Sequence, residues 1–135
     1  MQLLEVHSPN DLAGAFDIAA RARVDALIVA GGENPTNFAY SSWIAEEAMK
    51  RRLPLMSERR DFVQAGGLMA YGPSIPDLWR RAAYYMDRIL KGSKPADLPI
   101  EQPMRFELAI NLRTAQALGL TIPHHVLLQA TEVIQ

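Results

Sequence analysis

The sequence predicts an α/β domain, on three observations: an amphipathic helix pattern runs straight into a short continuous apolar run, glycine turns follow the apolar runs, and strand and helix patterns keep alternating. At 135 residues with 49% hydrophobic and 21% charged residues, the chain has the material for one hydrophobic core.

Gln2–Val6 is a short, mostly apolar stretch that reads as an opening strand. Ser8, Pro9 and Asp11 then supply an N-cap, a first-turn proline and a third-position acid. Leu12, Ala15, Phe16, Ala19 and Ala20 recur at helical spacing as far as Arg23, so a helix with one apolar stripe is expected. Ala26–Ala30 (ALIVA), bounded by Asp25 and Gly31-Gly32, reads as a strand buried on both faces. Thr36 or Asn37 is placed to cap a second helix that carries Trp43, Ile44 and Ala48 and ends at Lys50-Arg51-Arg52.

Leu53–Met56 is a strand weakened by Pro54, Arg60–Gln64 makes a helical turn, and Gly67–Tyr71 reads as another strand. The strongest periodicity lies over Pro76–Lys91, where Leu78, Ala82, Tyr85, Met86, Ile89 and Leu90 share one side and Gly92 closes the helix. Pro95, Pro99 and Pro103 keep the following connector extended, and Arg105–Ile110 alternates as a strand. Asn111 caps a short helix, Leu112–Leu118, that Gly119 ends, and a turn is expected around His124–Leu128.

Charge and composition exclude several functions. Fourteen Lys and Arg against fifteen Asp and Glu give a net charge of −1, so the sequence offers no basic field for nucleic acid or an anionic membrane. With no cysteine, there is no disulfide, thiolate nucleophile or cysteine-built metal site. His124 and His125 are adjacent and point apart, as do Glu46 and Glu47, so neither a metal nor a paired acid and base is expected. No cofactor motif occurs, and no nucleophile, base and orienting group stand together, which argues against an enzyme. The first residues carry no basic segment followed by an apolar run, so no signal peptide is read in this chain, and no stretch approaches the roughly 20 apolar residues of a membrane span.

One segment stands where open α/β sheets place their ligands. Gly31-Gly32-Glu33-Asn34 follows a strand at its carboxyl end, its glycines admit a close-lying ligand, and Asn34 both donates and accepts hydrogen bonds. Asn37 begins the next helix, and Tyr71 ends another strand with its ring available for stacking. The candidate ligand-binding residues are therefore Gly32, Glu33, Asn34, Asn37 and Tyr71. An ordinary turn and core packing explain the same residues equally well. The doublets Arg51-Arg52 and Arg59-Arg60 read as helix-end and surface charge.

From Phe62 to Pro123 the chain contains, in order, AGGLMAYG, DLWRRAA, ILKGSKPADLPIEQP and FELAINLRTAQALGLTIP. This stretch closely resembles the substrate-binding proteins of ABC transporters, the family that includes tryptophan- and tyrosine-type binding proteins. Weaker similarity extends back through Leu53-Pro54 and the Ala26–Ala30 strand to EVHSPNDLAGAF, so the whole chain is placed. The resemblance implies the type 1 periplasmic-binding fold, two three-layer α/β lobes built on parallel sheets and closing over a small solute.

The resemblance makes residues 1–135 the C-terminal part of such a protein, truncated and lacking the N-terminal lobe: 1–66 hold second-lobe strands and helices, and 67–135 the hinge crossover, the long helix and the C-terminal segment. It implies a periplasmic or extracytoplasmic location, an ABC permease as partner, and a small polar or aromatic solute such as an amino acid. Ser57 stands where many relatives carry Tyr, Arg59 where an apolar or aromatic residue is common, and Gly31-Gly32-Glu33 where a Pro-Asp turn is usual. The solute is therefore not inherited from the family. Apolar faces left without a partner lobe point to a homodimer, with segments after Gly66 exchanged between copies. A self-standing dimeric ligand-sensing or interaction module is the other reading.

Overall fold

The structure is a computed structural model, described here for residues 2–30, 37 and 39–135. Its elements are α1 (Pro9–Arg21), β1 (Leu27–Val29), α2 (Ser41–Lys50), β2 (Leu55–Ser57), α3 (Arg60–Gln64), β3 (Met69–Pro73), α4 (Ile75–Leu90), β4 (Phe106–Asn111), α5 (Leu112–Leu118), α6 (His124–Leu127) and β5 (Glu132–Ile134). Among the described residues five strands form one sheet in the order β1-β2-β3-β4-β5. All neighbours are parallel except β3 and β4, which run antiparallel. Between those two the chain leaves the sheet through α4 and the proline-rich connector and comes back reversed, which the reading of a parallel sheet did not anticipate.

Local chemistry explains the elements. At the start of α1 the Asp11 carboxylate accepts from the Ser8 backbone N–H at 2.8 Å and from the Ser8 hydroxyl at 3.0 Å. These bonds, with one from the His7 backbone N–H, hold the Asp11 carboxyl below its ordinary range. At α5, the Asn111 side chain accepts from Thr114 N–H while its amide donates to the Val63 carbonyl, so one buried residue caps a helix and ties it to α3. Gly119 closes α5 at φ 75°, a left-handed position that favours glycine.

Strand register decides what is covered. Leu27 and Val29 pair with Leu55 and Ser57, and Ser57 pairs with Ala70, which pairs with Ala109, so these residues share one face. That face packs beneath the helices: Leu12, Phe16, Ile44, Ala45, Ala48, Leu55 and Phe62 form the main core, continued by Val63, Ala70 and Ala109. The opposite face carries Ile28, Tyr71, Phe106 and Val133, all exposed.

Several expectations need correction. Gln2–Val6 makes no strand; it stays irregular, and Val6 packs against the main core instead. The Ala26–Ala30 run is not buried on both faces, because Ile28, 70% exposed, lies on the same uncovered face of the sheet as Tyr71 and Phe106. A short apolar run reads the same whether one face or both are covered. β5, three residues long, lies in a C-terminal stretch too short to carry a strand pattern.

The strongest helix pattern is borne out as α4, shifted by one residue at each end, yet none of its residues is buried. Trp79 is 71% and Leu90 84% exposed. The helix is braced from outside by the connector: Arg81 pairs with Glu101, and the Tyr85 hydroxyl donates to the Pro99 carbonyl at 2.8 Å. Its apolar stripe therefore faces open space in this chain, as expected of a face whose partner lies elsewhere.

Candidate functional site

Register also fixes which segments meet at the carboxyl edge of the sheet. Val29, Ser57 and Ala70 lie level across β1, β2 and β3, so the residues that follow them, Ala30, Glu58 and Tyr71, mark one rim. With strands about 4.8 Å apart, the exit of β1 stands about 10 Å from β3.

Of the residues singled out from sequence, Gly32, Glu33 and Asn34 lie outside the described residues. Asn37 is helical and half-buried. Tyr71 stands on the rim, 53% exposed, with its ring stacked on Phe106 at a centroid distance of 5.6 Å and an interplanar angle of 22°. It projects from the uncovered face, so its ring presents an aromatic platform already backed by a second ring.

On the helix-bearing side of the same rim is a cavity of about 270 Å³, lined by residues that include Glu58, Arg59, Asp61, Gly72 and Glu107. Its floor is built by close backbone approach. A Cβ on Gly72 would lie 2.0 Å from the Glu58 carbonyl oxygen, so only glycine lets the loop leaving β2 settle on β3. Glu107 pairs directly opposite Gly72 and shares its face. Arg59 is held in place: its backbone N–H donates to the Ser57 hydroxyl at 3.3 Å, and its Nε and Nη2 donate to one Asp61 oxygen at 3.1 and 2.6 Å.

Sequence reading missed this cavity, taking Arg59-Arg60 for surface charge. Ser57–Arg59 leaves β2 at its carboxyl end, the same kind of position that Gly31–Asn34 holds in the sequence. Among the described residues no group of three metal-ligating side chains occurs, and no helix is long and apolar enough to cross a membrane.

The family model for ABC transporter substrate binding proteins matches residues 2–134. The chain belongs to this family. It is 28% identical to the ABC domain from Streptococcus pneumonia solved in complex with L-Trp, with a TM-score of 0.88 over 98% of this chain and 44% of that one. A conserved domain protein from Vibrio cholerae is 24% identical, with a TM-score of 0.83 over 93% of this chain and 42% of that one. The ligand-free, open structure of a substrate binding protein with adhesive properties from Clostridium difficile is 17% identical, with a TM-score of 0.65 over 95% and 42%. The chain thus spans under half the length of the solved structures it matches. No curated protein matches the sequence. The sheet and its helices correspond to a single lobe of a periplasmic-binding protein, as the sequence resemblance implied.

Proposed function

We propose that this chain supplies the second lobe of a two-lobe, extracytoplasmic solute-binding protein that delivers a small polar or aromatic solute, such as an amino acid, to an ABC permease. The family match over residues 2–134 carries this reading. The rim supports it, because the exits of β1, β2 and β3 converge there, where open α/β sheets bind ligands. Glu33, Asn34 and Asn37 line the cleft from this lobe, Gly32 lets the chain pass close to the solute, and Tyr71 stands near the hinge. Closure of two lobes about β3 and β4 supplies the remaining cover. Solute capture needs no covalent step, so the protein works without catalytic residues or a cofactor.

Asn34 provides the test. In a two-lobe protein carrying this chain, Asn34→Ala leaves a desolvated polar group of the solute unpaired and costs about 1–3 kcal/mol, roughly five- to 150-fold in affinity. Calorimetry on the variant is expected to show that loss with an unchanged ligand-free melting temperature. A lower melting temperature with unchanged affinity would assign Asn34 to the fold instead.

The exposed stripe of α4 is the face that the first lobe covers in this arrangement. The same stripe favours the second reading, a self-standing homodimer, in which another copy covers it. Light scattering that finds a monomer at high micromolar concentration would end that reading.

A further inference from the structure

Residues 74–105 leave the sheet and return to it braced on themselves. No residue of α4 is buried. Among the described residues, the side chains of 75–105 make hydrogen bonds and ion pairs only within that segment. Three of these ties join α4 to the returning connector. They fall on one row of the helix, since Asp77, Arg81 and Tyr85 are spaced i, i+4, i+8 and so stand one above another. The connector meets that row in reverse order. The Arg105 guanidinium lies 4.0 Å from the Asp77 carboxylate, Arg81 donates to both oxygens of Glu101, and the Tyr85 hydroxyl donates to the Pro99 carbonyl at 2.8 Å. Arg81 is also layered on aromatic rings, 4.3 Å from the Tyr84 centroid and 5.1 Å from that of Tyr85. Its bonds hold the Glu101 carboxyl below the ordinary range. At the base, where the chain leaves and re-enters the sheet, the buried Ser74 donates its backbone N–H to the Arg105 carbonyl at 2.9 Å.

An exposed ion pair holds little by itself. A two-pronged arginine pair backed by rings, with a further tie on either side of it along the same row, holds more, because each tie keeps its neighbours in register. The adjacent row of α4, Leu78, Ala82 and Met86, stays exposed, so the connector fastens one flank of the helix and leaves the apolar stripe free. Resting on the two-lobe reading above, we propose that Asp77, Arg81 and Tyr85 zip the connector onto α4, so that residues 75–104 swing as one rigid arm and the two crossings, at Ser74 and Arg105, act as a single hinge. Two independent crossings let lobes twist and splay as well as close. A zipped arm removes those motions in advance, and less freedom is then lost on closure. Arg81, Tyr85 and Glu101 are thus positioning residues for lobe closure and touch no solute.

The chain has no cysteine, so introduced cysteines carry spin labels at chosen sites only. Leu90→Cys with Ile100→Cys, both exposed, spans the two limbs of the arm, and Leu90→Cys with Ile28→Cys spans arm and sheet. Electron–electron distance measurements on the chain are expected to give a narrow distribution for the first pair and a broader one for the second. Glu101→Gln with Tyr85→Phe should widen the first distribution by about 5 Å or more, because a freed Glu101–Arg105 stretch reaches ~15 Å at ~3.1 Å per residue. Arg81→Glu alone should also widen it, and adding Glu101→Arg should narrow it again, a recovery that a general disturbance of the helix would not show.

A first distribution left unchanged by Glu101→Gln with Tyr85→Phe would overturn the zipper, as would a charge exchange that recovers nothing. Equal widths for the two label pairs in the parent chain would overturn the hinge. The two-lobe reading survives each of these outcomes and fails separately, when a two-lobe protein carrying this chain binds none of a panel of small solutes.

Discussion

Replacing Phe62 with Ala is expected to remove about 3–5 kcal/mol of stability, a large share of the roughly 5–15 kcal/mol that holds a domain folded. Phe62 is 2% exposed and is the largest of the fully buried side chains. It lies where α3 meets the core formed by Leu12, Phe16, Ile44 and Leu55. Its backbone carbonyl also accepts from Gly67 N–H at 2.7 Å, so the turn into β3 remains tethered and cannot collapse freely onto the vacated space. Urea unfolding followed by circular dichroism reads the loss as a lower midpoint with an unchanged slope. A loss under 1 kcal/mol would mean that the α3 side of the core is not packed as described. Truncating Ile18, which lies on α1 and is exposed, provides the near-neutral control.

Gly72→Ala is expected to destabilise the chain by about 1–3 kcal/mol, against the usual sense of the substitution. A Gly-to-Ala change at a permissive site gains stability by restricting the unfolded chain. Here the new Cβ meets backbone on all its nearest contacts: the Glu58 carbonyl oxygen at 2.0 Å, its carbon at 2.9 Å and the Glu58 Cα at 3.2 Å. No side-chain rotation relieves that overlap, so the loop leaving β2 must lift from β3 and carry Arg59 with it. Thermal melting should show a lower transition, and the amides of Glu58 and Arg59 should shift more than those of α1. A variant as stable as the parent would show that the loop and β3 are farther apart.

Much of the fold was legible because its signals are local. Ser8, Pro9 and Asp11 mark the start of α1, and Asn111 and Gly119 bracket α5 without reference to anything distant. What was not legible depends on neighbours. Ile28 sits in an apolar run that suits a strand covered on both faces, and only the packing of the helices on one side of the sheet leaves its face open. The direction of β4 depends on how a 32-residue excursion returns to the sheet. The stripe of α4 predicted a helix correctly but said nothing about what covers it.

The candidate site divides along the same line. Tyr71 was read as the last residue of a strand over Gly67–Tyr71, whereas it is the central residue of β3, which runs on through Gly72 to Pro73. Its contact with Phe106 was not legible, because the two are 35 residues apart in the chain and meet only through antiparallel pairing. Glu107 was invisible for the same reason, since nothing in FELAIN places it opposite Gly72. Arg59 was visible as half of a basic doublet and undervalued, because Asp61 two residues on turns a surface-looking charge into a fixed one.

In the proposed function this lobe holds half of a solute and a second lobe completes the grip. Calorimetry on a two-lobe protein carrying the chain, beside the chain alone, with the same panel of amino acids and other small solutes, tests this most directly. The expected result is one solute bound per two-lobe molecule, at least 100-fold tighter than by the chain alone, whose own affinity is no better than millimolar. Equal affinity in the two proteins, or none in the two-lobe form for any solute, would contradict it.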